Sequence, residues 1–175
     1  MNFIKTKIKG CFEIEPKLIG DERGFFYRTM CANELKKANI LKPIVQINTS
    51  FSSLKGTLRG MHYQKTPYQE DKIITCLKGE IFDVVLDLRK KSKSYKKWFA
   101  VKLNEKNKKM LIIPRGCAHG FLTLKKNTLV TYYVTNYYNP QKEDGVRYND
   151  NSFKIKWPIK IKNISKKDLS WKNYK

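Results

Sequence analysis

This chain has only two histidines, His62 and His119. Each stands in a short run crowded with glycine, arginine and aromatic residues. The first run is Arg59-Gly60-Met61-His62-Tyr63-Gln64; the second is Ile113-Pro114-Arg115-Gly116-Cys117-Ala118-His119-Gly120-Phe121. Histidine is the side chain whose ordinary pKa best suits proton transfer near neutrality. Proton chemistry in this protein therefore has few places to reside. With two histidines a three-histidine metal site is impossible, and no metal is expected. The four cysteines, Cys11, Cys31, Cys76 and Cys117, are widely and irregularly spaced with no C-x-x-C pair. They read as small hydrophobes in a reducing cytoplasm. Cys117 lies beside His119, but adjacency in sequence does not supply the geometry of a thiol nucleophile.

The basic residues divide into 31 lysines and 6 arginines, and the net charge is +22. Such a charge attracts polyanions whatever the protein does. It is spread along the whole chain, and no nucleic-acid motif accompanies it, so it reads as a solvated surface and no specific nucleic acid is expected. Arg23, Arg59, Arg115 and Arg147 fall in or beside glycine-containing turns. Arginine grips phosphate or carboxylate with a planar fork. These four either meet an anionic ligand or pair with internal carboxylates.

The elements that would position these residues are mostly short strands. Phe3 to Lys9 and Cys11 to Glu15 alternate apolar and polar residues, and Gly20 to Gly24 is a turn. Ala32 to Ile40 has helical spacing. Strands are expected at Pro43 to Ser50, Thr57 to Gln64, Lys72 to Leu77, Glu80 to Leu88, Trp98 to Leu103, Lys109 to Ile113, Gly120 to Leu124 and Leu129 to Tyr137. Lys78-Gly79 reads as the turn of a two-residue hairpin. Many short strands with little helix indicate an all-β sandwich or barrel. One domain over 1–175 is expected, with 159–175 as a basic tail packed on it and one helical turn from Ser165. The chain has no apolar run long enough to span a membrane and no signal-like N-terminus, so the cytoplasm is expected.

Pro114-x-Gly116-x-x-His119 is similar to the second motif of cupins, which are jelly-roll barrels. A finer resemblance is to a metal-free cupin family, the dTDP-4-dehydrorhamnose 3,5-epimerases. It runs from the first strand to Trp171. It rests on ordered motifs: Asp21-Glu22-Arg23-Gly24-Phe25-Phe26, Gln46-Ile47-Asn48-Thr49-Ser50, Leu58 through Gln64, Gly79 through Val84, Asp87-Leu88-Arg89, Ile113 through Phe121, Asn136-Tyr137-Tyr138 and Trp157-Pro158. The resemblance implies a cupin-type jelly-roll β-sandwich with a few short helices. It implies an epimerase of a nucleotide-linked 4-keto-6-deoxy sugar, making deoxysugars for surface polysaccharide. It implies no cofactor, and a homodimer whose N-terminal strands exchange between subunits.

A ketone at C4 acidifies the hydrogens on C3 and C5. Epimerisation then needs a base on one face, a cation for the enolate oxygen and an acid on the other face. The resemblance places His62 as base, Asp168 as its partner carboxylate, Lys72 at the enolate and Tyr132 as the acid. It places Arg23, Gln46, Asn48, Arg59 and His119 on the nucleotide and sugar, with Tyr138 and Glu143 at the rim. The residues alone leave plainer roles open. Ser165-x-x-Asp168 also reads as a helix capping box. Lys72 reads as a strand lysine, Tyr132 as a core aromatic and His119 as a buried structural histidine.

Four positions depart from the family pattern. Arg28, a ligand-contact position in the family, and Arg115 stand where glutamate is common. Cys117 stands where phenylalanine is common, and Tyr148 where tryptophan is common. The reversed charge at Arg28 opens the question of which nucleotide is bound. The alternatives are an epimerase of a GDP-linked 4-keto sugar, a 3,4-ketoisomerase on the same fold, and a non-catalytic sugar-nucleotide binder.

Overall fold

The computed structural model describes residues 1–174. Lys175, the end of the expected tail, lies outside the described residues. Two sheets dominate. The first has the order β1 (Asn2–Lys5), β2 (Phe12–Glu15), β10 (Met110–Ile113), β7 (Lys72–Lys78), β12 (Thr128–Val134), β5 (Gln46–Ser52). The second has the order β13 (Glu143–Gly145), β6 (Thr57–Gln64), β11 (Cys117–Thr123), β8 (Glu80–Asp87), β9 (Trp98–Asn104). The short β14 (Asn163–Ile164) runs parallel to β6. β3 (Ile19–Asp21) and β4 (Gly24–Phe26) form a separate hairpin.

The sheets pack face to face because alternate residues on each are apolar. Ile74, Leu111 and Val130 of the first sheet meet Ile81, Val85, Leu103 and Phe121 of the second in one buried cluster. The alternate residues are buried too. Ile73, Met110 and Ile112 are covered by Leu35, Ala38 and Ile40. Val84 and Leu86 are covered by Val146 and Phe153. Burial on both faces explains why β7, β8 and β10 are continuous apolar runs and not alternating ones. The result is the cupin-like β-sandwich that the motifs imply.

Two local expectations change. Lys78-Gly79 is no hairpin turn. β7 pairs with β10 and β12, whereas β8 pairs with β11 and β9, so the chain crosses from one sheet to the other at Gly79. Gly79 has φ +80, and a Cβ there would sit 2.5 Å from Thr128 Oγ1. The short turn that joins hairpin strands serves equally well as a sandwich corner. The expected helix Ala32 to Ile40 is shorter: α1 covers Ala32–Leu35, and a 3₁₀ turn follows over Lys36–Ala38. Asn39, at φ +60, ends it in the left-handed conformation.

Candidate active site

The facing sheets leave a cavity of about 590 Å³ between them at one end. Register explains its lining. Across β5, β12 and β7, Asn48, Tyr132 and Ile74 lie side by side, and Gln46, Val134 and Lys72 lie in the next row but one. In the opposite sheet His62 on β6 is directly across from His119 on β11. Gly60 and Gly120 make that pairing close. A Cβ on Gly60 would lie 2.5 Å from the Gly120 Cα, and a Cβ on Gly120 would lie 2.8 Å from the Arg59 carbonyl oxygen. The ladder shifts register between His119 and Phe121, with the extra residue on β6, so that Arg59 and His62, three apart in sequence, both face the cavity.

His62 is held by a carboxylate. Asp168 is buried, and its Oδ1 lies 2.6 Å from His62 Nε2. Asp168 Oδ2 accepts the Gly60 N–H at 3.2 Å. The carboxylate reaches this position on α2 (Lys166–Ser170), whose N-cap Ser165 accepts the Asp168 N–H through its hydroxyl at 3.0 Å. Only half of the expected capping box forms: Ser165 caps the helix through the Asp168 N–H, while the Asp168 side chain is turned to His62 and Gly60. Burial pushes the Asp168 carboxyl upward. The bonds from His62, Gly60 and Ser165 outweigh it and hold the group below the usual carboxylate range. Asp168 is therefore an ionised acceptor. The proton shared with His62 belongs on Nε2, and Nδ1 keeps its lone pair. Trp171 closes the ring's edge at 6.1 Å between centroids.

A second pair is built alike. His119 Nε2 lies 2.7 Å from Oδ1 of Asp83, which is fully buried, while Asp83 Oδ2 has no partner among the described residues. His119 is thus both a structural histidine and part of the cavity wall.

Tyr132 lines the cavity from the first sheet and packs on the central core, whereas Tyr133 joins the outer cluster under the helix. Strand alternation separates the two tyrosines as expected. Burial, with help from Glu70 and Glu143 and against Arg59, raises the Tyr132 phenol above its ordinary range. Lys72 lines the cavity and contacts Glu70 at 3.0 Å.

The remaining candidates line the cavity with one exception. Arg59 Nε reaches Ser52 Oγ at 3.2 Å, and Gln46 donates to Asn48 at 2.8 Å. At the rim the Tyr138 hydroxyl donates to Glu143 at 2.5 Å, and Lys167 meets the same oxygen. The bond to Glu143 is the main reason the Tyr138 phenol rises to about 12. Arg23 is the exception. It sits on the β3–β4 hairpin with its side chain 83% exposed, bonded to Asp21, and does not line the cavity of its own chain.

Of the four turn arginines, only Arg59 lines the cavity. Arg115 pairs with the buried Asp71 at 2.5 Å, and Arg147 reaches Asn149. Arg28 pairs with Glu34 at 2.8 Å, and Glu34 also holds the N-terminal amine. The reversed charge at Arg28 is thus balanced locally. Burial pushes the Cys117 thiol upward, which removes it as a nucleophile. Sequence reasoning missed Glu70, Asp83 and Trp171 because each acts through a neighbour that only the fold supplies. Among the described residues no group of three or more His, Cys, Asp or Glu is placed to hold a metal ion.

Comparison with known proteins agrees with this frame. The family model described as dTDP-4-dehydrorhamnose 3,5-epimerase matches residues 5–175. A curated protein of that name from Shigella flexneri is 41% identical over 175 residues, covering 99% of this chain and 96% of the relative. The crystal structure of the enzyme so named from Bacillus anthracis, with TDP and PPi bound, superposes with a TM-score of 0.95 at 38% identity. It covers 99% of both chains. A dTDP-6-deoxy-D-glucose-3,5-epimerase from Legionella pneumophila, in complex with dTDP-4-keto-L-rhamnose, gives 0.93 at 39% identity, covering 98% of this chain and 92% of that one. Agreement over the full length, in sequence and in backbone, leads to one conclusion: this chain belongs to the dTDP-4-dehydrorhamnose 3,5-epimerase family of sugar-nucleotide isomerases.

Proposed function

We propose that this enzyme inverts C3 and C5 of a dTDP-linked 4-keto-6-deoxy sugar, with His62, Asp168, Lys72 and Tyr132 as its chemical groups. The observation that carries the proposal is that an Asp168-anchored His62 and a half-buried Tyr132 line one cavity from opposite sheets. His62 Nδ1 takes the proton from the carbon beside the ketone. The electron pair moves onto the ketone oxygen, where the Lys72 ammonium stabilises it. The Tyr132 hydroxyl gives its proton to the other face of that carbon, and the enolate collapses to the ketone. Solvent then returns a proton to the phenolate and takes one from the imidazolium, so that the catalytic cycle closes with no net change in the enzyme. Burial disfavours the phenolate and keeps Tyr132 protonated until it is needed.

Arg59, the one turn arginine in the cavity, contacts the diphosphate in this reading. The local pairing of Arg28 with Glu34 supports dTDP over a changed nucleotide. The test is incubation with dTDP-4-keto-6-deoxyglucose in heavy water. Deuterium at both C3 and C5 supports the proposal. Deuterium at one carbon reduces it to a mono-epimerase, and none at either refutes it.

The enzyme acts as a homodimer in this reading. The β3–β4 hairpin carries Ile19, Phe25 and Phe26 at 59%, 56% and 64% exposure, and the outer strand β5 exposes Ile47 and Phe51. Seating the hairpin on a second copy would cover this apolar surface and bring Arg23 to a neighbouring pocket. Sedimentation of the wild type as a dimer, and of Phe26→Glu as a monomer, is the expected result. The four free cysteines suit the reducing cytoplasm.

A further inference from the structure

Glu70 stands in none of the motifs that point to the site, yet it is 8% exposed and lines the same cavity. Its Oε1 lies 3.0 Å from Lys72 Nζ, and the two side chains retain only 6% and 14% of their exposure. Its other oxygen, Oε2, accepts from Gln64 Nε2. Gln64 cannot turn over. Its Nε2 also faces the Tyr68 and Tyr137 carbonyl oxygens at 2.9 and 3.1 Å, so that its two N–H groups are shared among three acceptors, and its Oε1 accepts the Asn139 N–H at 2.7 Å. Gln64 therefore only donates towards position 70, and an ammonium group can only donate. Position 70 must accept on both sides. A carboxylate does so; an amide can satisfy only one side, and an alkyl group neither.

We infer that Glu70 is a positioning residue: its carboxylate, locked by Gln64, holds the Lys72 ammonium on the cavity wall where the enolate oxygen forms. The inference rests on the epimerase reading of Lys72. A lysine stem is long and flexible, and holding it in one place costs rotamer entropy. A fixed carboxylate makes that cost part of folding and removes it from the reaction. The ammonium has three N–H groups, so one can stay on Glu70 while another meets the substrate. The same carboxylate adds to the burial that keeps the Tyr132 phenol protonated.

The test is a double-mutant cycle in the full chain, with Glu70→Ala, Lys72→Ala and the double variant assayed for kcat and KM on dTDP-4-keto-6-deoxyglucose. Melting temperature and dTDP affinity are measured alongside. Glu70→Ala is expected to lower kcat roughly 10- to 100-fold, as misplaced catalytic groups do, with KM and dTDP affinity little changed. In the Lys72→Ala background the same substitution should cost no further kcat, because Glu70 acts through the lysine. Should Glu70→Ala not fold, Glu70→Gln replaces it in the cycle and is expected to show a smaller loss with the same coupling. An equal loss of kcat with and without Lys72, or full kcat in the Glu70 variants, overturns the inference while leaving Lys72 in its role. Full kcat in Lys72→Ala overturns the role of Lys72 and the inference with it.

Discussion

His62 and Asp168 are 106 residues apart in the chain and 2.6 Å apart in space. The carboxylate comes from the first turn of a five-residue helix, and the imidazole from the sixth position of an eight-residue strand. The helix is brought to the strand by β14, which pairs with the start of β6 immediately before the Ser165 cap. Asp168 then bonds β6 twice, at the His62 ring and at the Gly60 N–H.

Two substitutions separate the two duties of Asp168. Asp168→Asn keeps the shape but loses the charge that fixes the His62 proton on Nε2. Its kcat should fall roughly 10²- to 10⁴-fold. Ser165→Ala removes the cap and should cost about 1 kcal/mol of stability with a far smaller effect on kcat. Steady-state kinetics and thermal melting of the two variants check this. Wild-type kcat in Asp168→Asn would mean that the carboxylate charge does not serve His62.

Tyr132→Phe should separate exchange from inversion. His62 can still remove a proton and return a deuteron to the same face, so heavy-water exchange persists. The inverted product should drop by roughly 10²-fold or more. His62→Ala should lose exchange as well while still binding dTDP. Exchange and inversion lost together in Tyr132→Phe would remove the tyrosine from its role as the opposite-face acid.

Arg59→Ala should raise KM, or weaken dTDP binding, by at least about tenfold, with kcat changed much less. An arginine on a diphosphate serves ground state and transition state alike. Calorimetric titration with dTDP is the direct measurement. Unchanged affinity would place the diphosphate elsewhere.

Asp87 supplies a pH-dependent part of the fold's stability away from the site. It is fully buried and receives Arg89 at 2.8 Å on each oxygen and the Ser94 hydroxyl at 2.7 Å. Burial pushes its carboxyl upward, but these bonds prevail and bring its pKa down to about 2. A depressed folded pKa means that the contribution is complete above the ordinary aspartate pKa of about 4. It is lost as pH falls from there towards 2. Its size at neutral pH is roughly 2 kcal/mol. Asp87→Asn should therefore melt lower than wild type at pH 7, with the gap shrinking below about pH 4. A gap that stays constant down to pH 2.5 would contradict the depressed pKa.

Most of the strands were legible because their β-branched and aromatic runs are bounded by glycine, asparagine and lysine turns. His62, His119 and Arg59 were legible because each is rare in a lysine-rich chain and sits beside a glycine. Tyr132, Lys72 and Asp168 had no such mark. Each has many look-alikes, and only the family resemblance selected them. The corner at Gly79 was misread as a hairpin because a short glycine turn looks the same whether the next strand pairs with its predecessor or crosses to the facing sheet.

The amino-acid sequence by itself determined the class of fold, the absence of a three-histidine metal centre and the scarcity of groups suited to proton transfer. Those follow from composition and local periodicity, which need no partner. Only the tertiary structure decided that Asp168 meets His62, that Glu70 and Gln64 hold Lys72, that Arg115 and Arg28 are spent on Asp71 and Glu34, and that Arg23 stands outside its own cavity. These relationships depend on strand register and on which sheet a strand joins, and both are set by pairing between residues far apart in the chain.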